Sequence, residues 1–345
     1  MKSDSRDEPS ISPIDLGETD NALAHALHID GRAPFAKIAD ILGVSDQTAA
    51  RRYARLRRTG TLAVLGLTNA LRSGENHWLL RVRAAPEAAV PLGEALARRD
   101  DTSWVSLVSG GTEVCCTVRE RPGRQHEHLL LHQLPRTPQV TDVQAYAVLH
   151  VFFGNDQSPL TRSGPLTPEQ VQTLEPEDAP DGSELGRPLD DDERRLLAVL
   201  ARDGRAPLTE LGQATGWSLS TVRRRLSHLR RTGVLYYDID LAPRLLDRGM
   251  HAGLWLDIDP ASLERAGTAM AQHPEVSFAA ATTGSTNLYA SLHCADAPSL
   301  YRYLTTRIAT IPGMRSCATA PVHRTLKGAG PMAPRPRSHS HTERN

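Results

Sequence analysis

Cysteine is scarce in this chain: the 345 residues include four, Cys115, Cys116, Cys294 and Cys317. None forms a C-x-x-C, and no His or Cys partner stands at zinc-finger spacing, so neither a redox dithiol nor a structural zinc is indicated. A disulfide framework does not suit a chain this long and this Cys-poor; a reducing cytoplasm does. Aromatic residues are 4% of the total, which excludes broad base-stacking platforms. No apolar run approaches the roughly 20 residues needed to span a bilayer. Met1 to Ser12 is polar and has no signal-peptide core. A cytoplasmic protein with no membrane partner is expected. Lysine is nearly absent (Lys2, Lys37, Lys327), a bias that fits a GC-rich genome. Net charge is also lacking: 40 Lys and Arg face 40 Asp and Glu. Taken alone, that balance speaks against a basic nucleic-acid glove. No Ser-His-Asp order, P-loop, G-x-G-x-x-G after a strand, or H-E-x-x-H is present. No catalytic residue, metal or cofactor is therefore assigned.

What is present is an internal copy. Asp30-Gly31-Arg32-Ala33-Pro34 recurs as Asp203-Gly204-Arg205-Ala206-Pro207, and Arg57-Arg58-Thr59-Gly60 as Arg230-Arg231-Thr232-Gly233, both shifted by 173 positions. Residues 28–62 and 201–235 share 16 identities over 35 positions. A fainter match follows at a shift of 174: His77 on His251, Gly110 on Gly284, Pro138 on Pro312. A period this long is no solenoid; it is the tandem duplication of a two-part unit. The parts are expected at 16–68 and 75–154, then 189–240 and 248–328. A Pro-rich acidic linker is expected over 155–188 and disordered tails over 1–15 and 329–345.

The first part of each unit reads as a helix-turn-helix. Leu23, Ala26 and Leu27, or Leu196, Val199 and Leu200, form the stripe of a first helix that ends at Gly31 or Gly204. Pro34 and Pro207 open a second helix. Gly43-Val44-Ser45 and Gly216-Trp217-Ser218 form the turn, with the serine as N-cap of a third helix. That helix buries Ala49, Tyr53 and Leu56, or Val222, Leu226 and Leu229. Its other face carries five Arg in each copy, for balances of +4 over 45–60 and +5 over 218–233. Arginine pairs bidentately with phosphate and with guanine. Double-stranded DNA is the expected partner. Ser45, Asp46, Gln47, Thr48, Arg51, Arg52 and Arg55 are the candidate contacts in the first copy. Ser218, Ser220, Thr221, Arg223, Arg224 and Arg225 are those in the second. Arg57, Arg58, Arg230 and Arg231, at the helix ends, are assigned to phosphate or to the helix's own carbonyls.

The second part alternates strands and helices in the order β-α-β-β-α-β, which is ferredoxin-like. The fold class is α+β: two winged-type helix-turn-helix domains and two ferredoxin-like (βαββαβ) domains in tandem. A strand at 77–84 or 251–259 precedes a helix (86–99, 260–273) and two strands (103–108 and 113–118; 276–282 and 288–293). A second helix (123–134, 298–309) and a last strand (141–148, 316–322) complete each copy. Between the middle strands lie Ser109, Gly110, Gly111 and Thr112, or Thr283, Gly284, Ser285 and Thr286. Small residues there leave backbone N–H groups open to an anionic effector; the same residues also suit an ordinary glycine turn. Cys115-Cys116 falls on the following strand and reads as core packing.

The combination resembles the Lrp/AsnC family of transcription regulators. The residues carrying it are Asp203-Gly204-Arg205, Gly216-Trp217-Ser218, Val222 to Gly233 with its Arg pairs, and Val108-Ser109-Gly110. The resemblance spans 16–154 and 189–328. It implies dimerisation through the ferredoxin-like sheets and an amino acid or other small effector near the glycine loop. The family's loop continues with Asp, an aromatic and Asp, where this chain has Gly111-Thr112-Glu113 and Ser285-Thr286-Asn287. Because one chain carries both copies, it is expected to fold as a pseudo-dimer that reads a pseudo-palindromic site. Self-association into dimers or larger assemblies through exposed sheet edges is also expected. Two alternatives stand beside this one. Siroheme decarboxylases resemble the same architecture and would want His or Arg around a porphyrin pocket, for which His77, His251, His126, His128 and His132 are available. An effector-free architectural DNA binder is the other. The zero net charge is an average, because 155–193 holds 11 acids against 2 Arg; that segment is expected to compete with DNA for the Arg faces.

Overall fold

The computed structural model describes residues 16–121, 133–180, 187–242 and 249–331. The tail expected over 1–15, most of that over 329–345, and nearly all of the helix expected over 123–134, with His126, His128 and His132, lie outside the described residues.

The first unit opens with α1 (Glu18–Ile29), α2 (Phe35–Leu42) and α3 (Asp46–Arg58). Gly43, at φ 64°, turns the chain after α2, and Ser45 Oγ accepts the Thr48 N–H at 3.2 Å to cap α3. Then come β1 (Leu62–Thr68), β2 (Asn76–Ala84), α4 (Pro86–Ala97), β3 (Thr102–Val108), β4 (Glu113–Glu120) and β5 (Val140–Phe153). Two short helices follow, α5 (Pro159–Ser163) and α6 (Pro168–Leu174). The second unit repeats the plan as α7 (Asp191–Leu200), α8 (Leu208–Thr215), α9 (Leu219–Arg231), β6 (Leu235–Leu241), β7 (Met250–Ile258), α10 (Leu263–Met270), β8 (Val276–Thr282), β9 (Leu288–Cys294), α11 (Ala297–Thr306) and β10 (Met314–Thr325).

The two helical parts share one core. Leu23, Leu27, Leu56 and Val64 pack in the same cluster as Leu196, Leu200, Val222 and Tyr237. Each fully buried leucine contributes about 1.5–3 kcal/mol over an exposed one. The strand after each third helix does not fold back as a hairpin wing: β1 pairs antiparallel with β6, Leu62 opposite Leu241 and Thr68 opposite Leu235. That register maps onto itself when the copies are exchanged, and the exchange centre is the Leu65–Asp238 pair. The repeated Asp-Gly-Arg-Ala-Pro motif lies here. Arg32 donates to the Gly204 and Ala206 carbonyls at 2.8 and 3.0 Å. Arg205 returns the contact to Gly31 and Ala33 at 2.7 and 2.9 Å. A Cβ on Gly31 would lie 2.6 Å from Tyr237 Cβ, so glycine is required for the two units to approach.

The second parts each have the strand order of a ferredoxin-like sheet, β5-β2-β4-β3 and β10-β7-β9-β8, and together they close one eight-stranded barrel. Two long strands make the joints. β5 runs on past its own sheet to pair with β8, Val148 opposite Thr282, and β10 does the same with β3, Val322 opposite Val108. Closure gives every barrel strand two neighbours, so assembly through exposed sheet edges has no barrel edge to use.

The segment expected as an acidic linker is built rather than extended. Capping boxes start both of its helices, Ser158 with Thr161 and Thr167 with Gln170. Leu160, Leu166 and Leu174 pack into the shared helical core. These helices span 5 and 7 residues, too few for a hydrophobic period to show in the sequence.

Candidate functional site

The helices α3 and α9 present matched surfaces. Ser45, Asp46, Gln47 and Arg51 are exposed on the first, as are Ser218, Ser220, Arg223 and Arg224 on the second, with Thr48 and Thr221 half-buried at the helix starts. The serines are committed to capping: Ser218 Oγ accepts the Thr221 N–H at 3.3 Å, as Ser45 does for Thr48.

The arginines divide into three kinds. Arg52 pairs with Asp20 of α1 at 2.9 Å and Arg55 pairs with the same carboxylate; Arg225 faces the corresponding acid Glu193 at 3.4 Å. These three hold the third helix against the first. Arg57 and Arg230 cross between units, to Asp203 at 2.8 Å and to Asp30 at 3.3 Å. That corrects their assignment to phosphate or to helix carbonyls: each carboxylate at the head of an Asp-Gly-Arg-Ala-Pro motif draws in the arginine of the opposite copy. Arg51 and Arg224, equivalent positions, make no ion pair among the described residues, and neither do Arg58, Arg223 and Arg231. The acidic segment reaches α9 through Asp178, 3.0 Å from Arg230.

The two glycine loops are not alike. In the first, Gly110 and Gly111 have φ 71° and 84°, and a Cβ on either would meet open space. Below them Glu113, 3% exposed, accepts from Arg81 Nε at 2.8 Å, Arg83 Nη2 at 2.8 Å and Ser109 Oγ at 2.9 Å. Burial would push the Glu113 carboxyl up, but these hydrogen bonds outweigh it and hold the group below the usual carboxylate range. In the second loop Thr283 exchanges bonds with β5: its N–H donates to the Ala147 carbonyl and its Oγ1 accepts the Ala147 N–H, both at 2.9 Å. Gly284 lies against the Tyr146 ring. The asymmetry has a simple cause: the residue corresponding to Ala147 is Pro321, which has no N–H to give to Ser109.

A cavity of about 1060 Å³ opens inside the barrel and extends to β6 and α5. Among the residues lining it are His77, His251 and His293. His251 and His293 stack with centroids 4.1 Å apart, and His251 Nε2 lies 2.9 Å from Ser291 Oγ. Burial, then the Arg119 charge, pulls His77 down to about 4. Burial also takes His293 to about 4, and burial with His293 as neighbour takes His251 to about 3. All three imidazoles are neutral near pH 7. Sequence reasoning noted the recurrence of His77 and His251 but had no signal for His293, Arg119 or Trp104, which only strand pairing brings together. Cys115 and Cys116 are buried, as expected for packing, and burial lifts the Cys116 thiol to about 12. Among the described residues no group of three or more His, Cys, Asp or Glu could hold a metal ion, and no helix is long and apolar enough to cross a membrane.

Comparison with known proteins adds two domain matches. The AsnC-type helix-turn-helix domain matches residues 16–57 and 189–230, and the Lrp/AsnC ligand binding domain matches residues 252–332. The helix-turn-helix-type transcriptional regulator FL11 of Pyrococcus horikoshii is 28% identical over 141 residues, 41% of this chain and 93% of that protein. The regulator Ptr1 of Methanocaldococcus jannaschii is 26% identical over 145 residues, 42% of this chain and 98% of its own length. Each relative is thus about one unit long. Among solved structures, the siroheme decarboxylase NirDL aligns with a TM-score of 0.60 at 15% identity, covering 90% of this chain and 93% of that one. At that identity the likeness is one of fold.

Proposed function

We infer the function from one premise: the chain belongs to the Lrp/AsnC family, in tandem-duplicated form. It is a DNA-binding transcriptional regulator of helix-turn-helix type, and its Lrp/AsnC domain implies a small-molecule effector. The finer reading is that the two units act as an intrachain pseudo-dimer on one pseudo-palindromic site. The observation that carries it is the reciprocal clamp of Arg32 and Arg205 across the β1–β6 pair. The pair of recognition helices presents Arg51 and Arg224 at equivalent places, as dimeric helix-turn-helix proteins do from two chains. The exposed helix starts differ, Asp46-Gln47-Thr48 against Leu219-Ser220-Thr221, so the half-sites should differ. Footprinting of the full chain on genomic DNA tests this: two unequal arms on one face of the duplex are expected, and a symmetric operator with equal tolerance in both arms would overturn it. Affinity should fall steeply with salt, since phosphate contacts release counterions.

The effector is assigned to the first glycine loop, around Ser109, Gly110, Gly111 and Thr112. There Arg83, with a side chain 55% exposed, offers a carboxylate partner beside the buried Glu113. The second loop, at Thr283, Gly284, Ser285 and Thr286, is engaged with β5. Thermal stabilisation by a panel of amino acids, lost in Arg83→Gln, is the expected result. Stabilisation unchanged in that variant would displace the site.

A second reading, an enzyme of the siroheme decarboxylase kind, is favoured by one observation, the His-lined cavity inside the barrel. The exposed Arg faces of α3 and α9 favour the regulator, and we read the chain as non-catalytic. A spectral shift of siroheme on mixing with the protein, with loss of carboxylate groups, would reverse that choice.

A further inference from the structure

The chain has fifteen Phe, Trp and Tyr residues in all. Six of them, Trp104, Tyr236, Trp255, Phe278, Tyr289 and Tyr303, line the barrel cavity, beside His77, His251 and His293. A protein this poor in aromatic rings has gathered two fifths of them around one space. Much of this lies beyond the packed part of the barrel interior, where Leu79, Val108, Cys115, Tyr146, Trp255 and Ala320 form their own cluster.

Trp104 is the least expected of these residues. It is 45% exposed, yet it lines the cavity and sits at φ 52°, where the pairing of β3 with β4 slips between Ser103 and Ser106. A bulky residue in the left-handed region is strained by about 1–3 kcal/mol, and such strain collects at ligand-holding sites. The bulge is held by the Trp104 N–H, which donates to the Gly328 carbonyl at 2.9 Å.

The charges around the cavity are unbalanced. Four arginines line it, Arg119, Arg162, Arg302 and Arg307, against two acids, Asp238 and Glu275; Glu275 lies 3.8 Å from Arg307, and Asp238 lies 3.3 Å from the buried His28 Nδ1. Arg119, half-buried, and Arg302 make no ion pair among the described residues, and Arg162 is turned to the carbonyls of His273, Val276 and Ala271. The three imidazoles add hydrogen-bonding capacity without charge. Rings for stacking, two guanidiniums without an ion pair in the wall and a volume just above the roughly 300–1,000 Å³ of small-molecule pockets together define a ligand class. An aliphatic amino acid would leave most of the wall untouched.

We propose that the cavity is a ligand site separate from the glycine loops, which takes a flat aromatic carboxylic acid between Trp104, the His251–His293 stack and Arg119. Its occupancy reaches the DNA-reading pair through Tyr236 and Asp238, which line the cavity from β6. Asp238 is also half of the Leu65–Asp238 pair at the centre of β1–β6. A ligand held there touches both the barrel and the strand that joins the two recognition units. This second, regulatory half of the proposal rests on the regulator reading given above.

Calorimetric titration of the full chain with 2-naphthoate tests the site, with 2-naphthol and L-leucine as comparators. Binding of one 2-naphthoate per chain is expected, with 2-naphthol weaker by tenfold or more and L-leucine producing no heat from this site. Arg119→Gln and Trp104→Ala should each weaken 2-naphthoate at least tenfold while keeping the wild-type melting temperature. No binding, or binding that both variants leave unchanged, overturns the site. DNA affinity measured with and without saturating 2-naphthoate then tests the coupling, and an unchanged affinity overturns that half alone. A chain that binds 2-naphthoate normally but no DNA at all would instead overturn the regulator reading.

Discussion

Arg51 and Arg224 occupy equivalent places on α3 and α9, exposed and without an ion-pair partner among the described residues, whereas Arg52 and Arg225 are turned back to Asp20 and Glu193. The difference predicts opposite phenotypes for neighbouring arginines. Arg51→Ala or Arg224→Ala should lower DNA affinity and reduce the salt slope by about 1, with the melting temperature unmoved. Gel-shift titrations at several salt concentrations read this. Glu193→Ala should act on folding instead. Its carboxylate is fully buried, pairs with Arg187 and Arg225, and accepts in the capping box of α7. Losing it leaves two guanidiniums unpaired and one N–H uncapped, a cost of about 1–3 kcal/mol visible in the urea midpoint. The sequence marked all of these arginines as one basic face. It could not sort them, because the acids that sort them lie in other helices.

Glycine and arginine join the two units alongside the shared apolar core. Gly204 packs against the β1 backbone, where a Cβ would lie 2.8 Å from the Leu65 carbonyl carbon. Gly204→Ala, like Gly31→Ala, should therefore cost about 1–3 kcal/mol by overpacking. Arg205→Ala should cost a similar amount by leaving the Gly31 and Ala33 carbonyls without their donor. Equilibrium urea unfolding of the full chain checks both. The strength of the Asp-Gly-Arg-Ala-Pro repeat was legible from the start, as were the three helices of each unit and the β-α-β-β of each second part. Its purpose was not, because nothing in a sequence says that an arginine reaches a carbonyl 172 residues away. β1 and β6 were missed for the same reason: each is a strand only because the other is beside it. The extra length of β5 and β10, which closes the barrel, was likewise hidden, since local alternation cannot show where a strand changes partner. The two short helices between the units were not legible, because the leucines that fix them, Leu160, Leu166 and Leu174, are few. Deleting 165–185 would remove Leu166 and Leu174 from the core along with the acidic charge, so that deletion would not isolate competition between this segment and DNA.

At the scale of the whole molecule, buried histidines set the response to acid. His25, His77, His251 and His293 all have their pKa values lowered, to between about 3 and about 4, chiefly by burial. Unfolded, each would take a proton near its ordinary value of about 6.5. Between pH 6.5 and 4 the unfolded chain binds protons that the folded chain refuses, so stability falls as pH drops through that window. Melting temperatures measured from pH 7.5 down to 4.5 should decline steadily, with the steepest loss below pH 6.5. His251→Asn should flatten the curve. The strand order within each half of the barrel followed from the element order in the sequence. The cavity did not, since it is lined by residues from both units and exists only once the strands have crossed between them.

The clamp between the two units also changes what concentration means for this protein. A regulator that pairs through separate chains is half-assembled when scarce, and its chains can exchange with those of relatives that share the same surface. Here Arg32, Arg205 and the β1–β6 register join two parts of one chain, so the pair has no dissociation constant. On the pseudo-dimer reading, occupancy of a target would follow the number of molecules without a prior pairing step. Each half is also free to diverge, because a change in one recognition helix is never imposed on the other.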